Sequence, residues 1–115
     1  MMFRIFNRTK PYFDLSGEEF ARAYNACENP VLLDVRTPQE FAMGRIPGAI
    51  NIDITRGDFK TLVDNFDKEK VYFVYCRGGN RSVAACSILG KNGFRSYNLV
   101  TGIIDWKGDF VGTYE

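Results

Sequence analysis

Residues 74–86, which read VYCRGGNRSVAAC, combine residue types that can form an anion-binding nucleophile site. Cys76 follows an apolar run, and two glycines then lie between Arg77 and Arg81. Glycines allow backbone amides to turn towards one point, and a helix that begins nearby adds unpaired amides and its dipole. A thiolate at Cys76 would be stabilised by these groups and by the two arginines. The pattern predicts an activated cysteine beneath an anion cradle formed by residues 77–82.

The glycines and the serine of this segment have separate expected roles. Gly78 and Gly79 permit positive φ angles, and Ser82 is expected to begin the following helix. The structural alternative is a glycine turn that joins a buried strand to a helix. Cys76 would then be a packed thiol, since free cysteines are often buried, and the arginines would simply be solvated.

The absence of histidine limits how Cys76 could be activated. Cys–His and Ser–His nucleophile pairs and histidine-ligated metal sites are excluded, so charges and amides would have to stabilise the thiolate. The three cysteines, Cys27, Cys76 and Cys86, fit neither a disulfide framework nor a zinc site. We therefore expect no metal, no cofactor and a reducing compartment, the cytosol. Cys27 and Cys86 are interpreted as packing residues, with a resolving thiol at Cys86 as the less favoured alternative.

Length and composition favour one globular domain over residues 1–115, with the first ten residues as a loose tail or an added strand. The net charge is +1, which gives no indication of nucleic acid or an anionic membrane as a partner. No apolar run approaches the roughly 20 residues of a membrane span, and the charged amino-terminal segment argues against a secretory signal.

Apolar strand patterns alternate with helical patterns along the chain. This alternation predicts an α/β fold, in which helices cover both faces of a parallel sheet. Two helix starts carry capping-box spacing, at Ser16 with Glu19 and at Thr37 with Glu40. The predicted strands are 12–15, 30–35, 48–52, 70–76 and 96–100, and the predicted helical segments are 16–27, 37–44, 58–66, 82–93 and 102–108.

The position of Cys76 relative to these elements supports the chemical interpretation. The segment 71–75 is the strongest strand pattern, so we expect it in the centre of the sheet. Ligands of open parallel sheets bind outside the carboxyl ends of the strands. Cys76 is predicted to lie at that end, directly before a helix.

Three segments together resemble the single-domain rhodanese (sulfurtransferase) family. They are LLDVRTPQEFAMGRIPGAINI at 32–52, CRGGNRS at 76–82 and NLVTGIIDW at 98–106, and the similarity extends over about residues 12–108. The resemblance implies a three-layer α/β/α fold with a five-stranded parallel sheet. It also implies a sulfurtransferase whose cysteine takes sulfur from a donor as a persulfide. The acceptor would be a thiol, cyanide or a protein.

The resemblance assigns roles to individual positions. Cys76 matches the cysteine that carries the persulfide, and Arg77 and Arg81 would neutralise a small anionic donor such as thiosulfate. Asp34 and Arg36 match a supporting pair at the end of the second strand. The substrate-binding loop comprises Arg77, Gly78, Gly79, Asn80, Arg81 and Ser82.

Two positions depart from the family pattern, and two other functions stay open. Arg45 stands where the family usually has histidine, and Thr101 stands where a glycine is common. A sulfur-relay module that receives persulfide from a partner protein would use the same pocket. A phosphatase of the same fold is less favoured, because its cysteine and arginine are separated by five residues. Here only four residues separate Cys76 from Arg81, which suits a sulfur atom better.

Overall fold

Five parallel strands form the central sheet of the computed structural model, which describes residues 10–112. The sheet order is β1–β6–β5–β2–β4, so the strand that precedes Cys76 is the central one, as predicted. The expectation for residues 1–10 lies outside the described residues, apart from Lys10. In chain order the strands are β1 (Phe13–Leu15), β2 (Pro30–Asp34), β3 (Gly44–Arg45), β4 (Ile50–Asn51), β5 (Val71–Tyr75), β6 (Arg95–Leu99) and β7 (Val111–Gly112).

Four α-helices connect these strands within residues 10–112, and both predicted capping boxes form at helix starts. The Ser16 side chain accepts from the amide of Glu19, whose carboxylate accepts from the Ser16 amide, and Thr37 and Glu40 are related in the same way. Each box satisfies amides that a helix start leaves unpaired. The helices are α1 (Gly17–Ala26), α2 (Pro38–Met43), α3 (Phe59–Val63) and α4 (Asn80–Lys91), with 3₁₀ turns at Ile54–Arg56 and Ile103–Asp105.

Separate apolar clusters cover the two faces of the sheet, which confirms the three-layer α/β/α prediction. On one face, Val74 of β5 packs with Leu89 of α4 and Val63 of α3. On the other face, Phe73 of β5 packs against Phe20 of α1. Successive residues of a strand point to opposite faces, so the continuous apolar run of β5 serves both clusters. No helix among the described residues has the length and apolar character that a membrane span requires.

The start of α4 differs from the prediction. The helix begins at Asn80, with Gly79 as its N-cap at φ +105°, so Ser82 is the third helical residue and not the first. Serine is a common N-cap, which suggested the later start. Here glycine occupies that position because the chain must enter the helix in a left-handed conformation.

Two further segments near the carboxyl end of the sheet differ from expectation. The strand predicted at 48–52 is limited to β4, since Gly48 has φ +88° and the amide of Ala49 closes a turn onto Ile46. The helical segment predicted at 102–108 is reduced to one 3₁₀ turn. A small antiparallel pair, β3 with β7, has no counterpart in the prediction, because its two-residue strands are too short to give a pattern.

Candidate functional site

The sulfur of Cys76 lies at the carboxyl end of the central strand, directly after β5, as predicted. The residue is 1% exposed. Its Sγ atom accepts hydrogen bonds from the amides of Gly79, at 3.1 Å, and Ser82, at 3.4 Å. The Ser82 amide is among those that a helix start leaves without an intrahelical partner. The loop therefore directs backbone donors at the sulfur.

The Ser82 hydroxyl completes the contacts around the thiol. It lies 3.4 Å from Cys76 Sγ, accepts a hydrogen bond from the protonated thiol and donates to the carbonyl of Gly79 at 3.1 Å. Ser82 is fully buried, so water does not compete for these bonds. When the thiol loses its proton, the hydroxyl can rotate and donate to the sulfur instead. Ser82 thus contacts the sulfur through both its backbone and its side chain.

Gly78 and Gly79 are not equivalent. Gly79 has φ +105°, and a β-carbon built on it would overlap the carbonyl oxygen of Val100. Gly78 lacks a positive φ, and a β-carbon there would meet nothing within 4 Å. Of the two glycines that permit a positive φ, Gly79 therefore adopts one and Gly78 does not. Only Gly79 is required for the backbone path that brings amides to the sulfur.

A second loop, residues 100–103, packs against the cysteine loop. Gly102 has φ +80°, and a β-carbon there would overlap the backbone of Arg77 and Gly78. The amide of Ile103 donates to the carbonyl of Cys76 at 2.9 Å. The two loops are therefore in direct backbone contact, and the Gly102 position has no space for a side chain.

Thr101, one of the two departures from the family pattern, fits this loop without strain. No described residue other than glycine has a positive φ. The Thr101 hydroxyl donates to Asp105 Oδ2 at 2.7 Å, and the amide of Gly17 donates to the same oxygen at 2.8 Å. Both hydrogen bonds lower the pKa of Asp105, and the bond from Thr101 has the larger effect. Thr101 therefore helps to tie the 3₁₀ turn to the start of α1.

Asp34 and Arg36 form an ion pair that is completely buried. Arg36 donates from Nε to Asp34 Oδ1 at 2.9 Å and from Nη2 to Asp34 Oδ2 at 2.6 Å. Arg36 Nη2 also donates to the carbonyl of Gly44, at 2.6 Å. The Asn51 side chain donates to the carbonyls of Asp34 and Arg36, at 3.0 and 2.9 Å. The pair thus joins the end of β2 to β3 and β4, which supports the proposed scaffold role.

Arg81 makes an ion pair that the sequence interpretation missed. Its Nη1 lies 2.7 Å from Glu40 Oε1 and its Nη2 lies 3.0 Å from Glu40 Oε2, so the contact is bidentate. The hydrogen bond from Arg81 is the largest cause that lowers the pKa of Glu40 to about 2. The sequence indicated Glu40 only as a capping residue. Nothing in local spacing relates two residues that are 41 positions apart.

The remaining predicted residues occupy different surroundings. Arg77 and Asn80 are exposed residues of the loop itself. Arg45 lies against α2, where it donates to the carbonyl of Phe41 at 3.2 Å and its guanidinium covers the Phe41 ring at 4.8 Å. Within residues 10–112, no cluster of three or more metal-ligating side chains occurs.

The other two cysteines have environments typical of packing residues. Cys86 is fully buried in α4, and burial raises the pKa of its thiol to about 12. A thiol that stays protonated is a poor nucleophile, which argues against a resolving role. Cys27 is half-buried at the end of α1, with its sulfur 3.6 Å from Asn29 Oδ1.

Comparisons with known proteins identify the family and the fold that this chain resembles. A family model described as "Rhodanese-like domain" matches residues 16–109. A sulfurtransferase of Allochromatium vinosum is 33% identical over 94 residues, which cover 81% of this chain and 86% of that protein. The thiosulfate sulfurtransferase GlpE of Pseudomonas entomophila is 31% identical, over 74% of this chain and 77% of that protein. The solved structure of a rhodanese-related protein from Thermoplasma volcanium has a TM-score of 0.76 at 29% identity, covering 87% and 98% of the two chains.

The two loop glycines should respond differently to substitution. Gly79→Ala should lower the free energy of unfolding by about 2–4 kcal/mol, because it adds left-handed strain to an overlap with Val100. Gly78→Ala should leave it within about 1 kcal/mol, since the position has space and an ordinary φ. Urea unfolding of both variants measures the difference. Equal effects would contradict the assignment of the backbone constraint to Gly79.

Removal of one member of the buried pair should be strongly destabilising. Asp34→Ala leaves the Arg36 charge buried without its carboxylate, so the free energy of unfolding should fall by about 3–5 kcal/mol. The control is Arg22→Ala, which breaks an exposed 3.9 Å contact with Glu18 and should cost no more than about 0.5 kcal/mol. Urea unfolding compares the two variants. A cost for Asp34→Ala as small as that of the control would rule out the locking role.

The Arg81–Glu40 pair should give stability a defined pH dependence. The folded-state pKa of Glu40 lies near 2 and its ordinary value is 4.5, so the stabilisation is fully present above pH 4.5 and is lost as pH falls towards 2. Glu40→Gln should therefore be less stable than the native protein by about 1 kcal/mol at pH 7. This gap should narrow below pH 4.5, as measured by urea unfolding at pH 7, 4 and 3. A difference in free energy of unfolding that grows as the pH falls would contradict this pH dependence.

Proposed function

The chain belongs to the rhodanese-like domain family, and from this premise we propose that it is a sulfurtransferase that works through a persulfide on Cys76. Sulfane sulfur comes from an anionic donor such as thiosulfate and passes to a thiophilic acceptor. Relatives that are named sulfurtransferase and thiosulfate sulfurtransferase support the general activity. The acceptor is a small thiol, cyanide or a protein thiol.

One observation carries the proposal: backbone amides are aimed at a sulfur atom at the carboxyl end of the central strand. The Gly79 and Ser82 amides lie 3.1 and 3.4 Å from Cys76 Sγ. Donors fixed by the backbone stabilise a thiolate without an imidazole. This answers how a chain with no histidine could activate a cysteine.

The reaction has two balanced steps. The Cys76 thiolate attacks the outer sulfur of thiosulfate, a new S–S bond forms at Cys76, and the S–S bond of thiosulfate breaks. Sulfite leaves with the bonding electron pair, and the persulfide keeps one negative charge. An acceptor such as cyanide then attacks the outer sulfur and leaves as thiocyanate. The electron pair of the broken bond returns to Cys76, which restores the thiolate.

The loop residues and the buried Asp34–Arg36 pair have different proposed roles. The amides of residues 77–82 stabilise the negative charge on the thiolate and on the persulfide that replaces it. The arginines at positions 77 and 81 attract the anionic donor. Asp34 and Arg36 act as supporting residues, because they are fully buried and hold neighbouring loops in place.

A sulfur-relay module is the second candidate, in which Cys76 receives sulfur from a partner protein and passes it on. The Arg81–Glu40 pair favours it, because Glu40 already compensates the Arg81 charge, which would otherwise attract a small dianion. A phosphatase is less favoured. Position 82, where five intervening residues would place the phosphatase arginine, holds a buried serine that contacts Cys76.

Intact-mass measurement tests the proposal directly. Native protein incubated with thiosulfate should gain one sulfur atom and lose it to cyanide. Cys76→Ser should gain none, because a hydroxyl oxygen cannot form a persulfide. The matched controls, Cys27→Ala and Cys86→Ala, should load as the native protein does.

Other outcomes separate the candidates. Sulfur that still loads onto Cys76→Ser would place the site elsewhere. Loading from a thiol persulfide but not from thiosulfate would favour the relay module. Hydrolysis of phosphate esters at rates comparable to sulfur transfer would favour the phosphatase.

A further inference from the structure

The Arg81 guanidinium, proposed above to attract an anionic donor, is bound by a residue of another helix. Glu40 of α2 engages it through both carboxylate oxygens, at 2.7 and 3.0 Å. A bidentate contact fixes the plane of the guanidinium and uses two of its donors. Any anion that binds at the loop therefore meets an arginine that already has a carboxylate partner.

The charge of Glu40 is permanent and lies directly against an arginine of the cysteine loop. Its pKa of about 2 keeps the carboxylate ionised at neutral pH. The pKa of Arg81 is raised, first by its hydrogen bond to Glu40 and also by the charge of Cys76. Arg81 thus interacts electrostatically with both groups. The two side chains are only 30% and 29% exposed, so solvent and salt screen them less than a surface pair.

We propose that Glu40 sets the charge selectivity of the Cys76 pocket: by pairing with Arg81, it disfavours dianionic sulfur donors relative to singly charged or neutral ones. This inference rests on the proposed sulfur transfer at Cys76. At equal reactivity, the pocket then favours a thiol persulfide, whose reacting end carries at most one negative charge, over a small dianion such as thiosulfate, which still serves as a donor.

Coulomb's law gives the proposal a quantitative signature. The repulsion between Glu40 and a donor is proportional to the charge of the donor. Neutralising Glu40 should therefore lower the free energy of a dianionic donor at the site by about twice as much as that of a monoanionic donor. The factor by which kcat/KM rises for a dianion is then about the square of the factor for a monoanion. A general change in loop shape would not follow this relation.

Glu40→Gln removes the charge of this residue, and glutamine can keep its other role, which is to cap the start of α2. Glu40 Oε1 also accepts from the amide of Thr37 at 3.0 Å, and the Thr37 hydroxyl accepts from the Glu40 amide at 3.2 Å. Glutamine is a normal member of such a capping box. The matched control is Glu19→Gln, which makes the same change of charge in the capping box of α1, where the carboxylate pairs with Ser16 and is exposed.

The first test compares two donors that deliver the same kind of sulfur but differ in charge. Thiosulfate is a dianion and methanethiosulfonate a monoanion, and kcat/KM is measured for each with cyanide as acceptor. Glu40→Gln should raise kcat/KM about 10-fold for thiosulfate and about 3-fold for methanethiosulfonate. Glu19→Gln should change neither by more than about 1.5-fold. No change, an equal rise for both donors, or a fall for thiosulfate would overturn the inference.

The second test needs no sulfur transfer. Cys76 is alkylated with iodoacetate, an anion, or iodoacetamide, which is neutral, and the modified peptide is quantified by mass spectrometry. Because both reagents attack the same thiolate, the ratio of their rates cancels the ionised fraction. Glu40→Gln should raise the iodoacetate-to-iodoacetamide ratio about 3-fold, and Glu19→Gln should not.

The two tests separate failure of the inference from failure of the proposed function. A raised alkylation ratio in a protein that transfers no sulfur from any donor would reject the proposed function and retain the charge selectivity. Sulfur transfer with an unchanged alkylation ratio would retain the function and reject the role of Glu40.

Discussion

Backbone contact between two loops at the carboxyl end of the sheet is the constraint on which the site depends. The loop after β5 carries Cys76, and the loop after β6 packs directly on it through Gly102 and the hydrogen bond from Ile103 to the Cys76 carbonyl. Neither Gly79 nor Gly102 has space for a side chain, and both have positive φ angles. With the loops held this close, the Gly79 amide is directed at the sulfur instead of at solvent. The arrangement of amides around the sulfur therefore depends on tertiary packing as well as on the seven-residue motif of the loop.

The buried Asp34–Arg36 pair provides the matching constraint on the other side of the central strand. Two charges without solvent contact are costly unless they are paired and hydrogen-bonded, and here the carboxylate receives bonds from the Arg36 amide and guanidinium. Arg36 also reaches the carbonyl of Gly44, which fixes where α2 ends. Since α2 carries Glu40, the pair indirectly determines where a carboxylate can meet Arg81. The scaffold and the charge at the pocket are thus physically connected.

The elements that could be predicted from sequence are those whose sequence signal lies within a few neighbouring residues. The apolar run of β5 indicated a central strand, and the two capping boxes indicated the starts of α1 and α2, because each signal lies within a few residues. The location of Cys76 at the end of the sheet followed from the same patterns. The start of α4 at Asn80 and the different conformations of Gly78 and Gly79 could not be predicted. Both depend on how closely the loop after β6 approaches, and no local spacing encodes that distance.

The Glu40–Arg81 contact shows why a motif does not determine the charge of its own pocket. The sequence of the loop suggests that Arg81 is available to an anion, yet its charge is compensated by a residue from a different helix. Glu40 is able to do this because its capping role already holds its side chain at the start of α2, where one carboxylate oxygen accepts from both Thr37 and Arg81. The entropic cost of fixing a long acidic side chain is therefore shared between two interactions. Under the proposed role of Glu40, relatives with the same cysteine loop but another residue at this position would present a more positive pocket, and donor preference would change without any change in the loop itself.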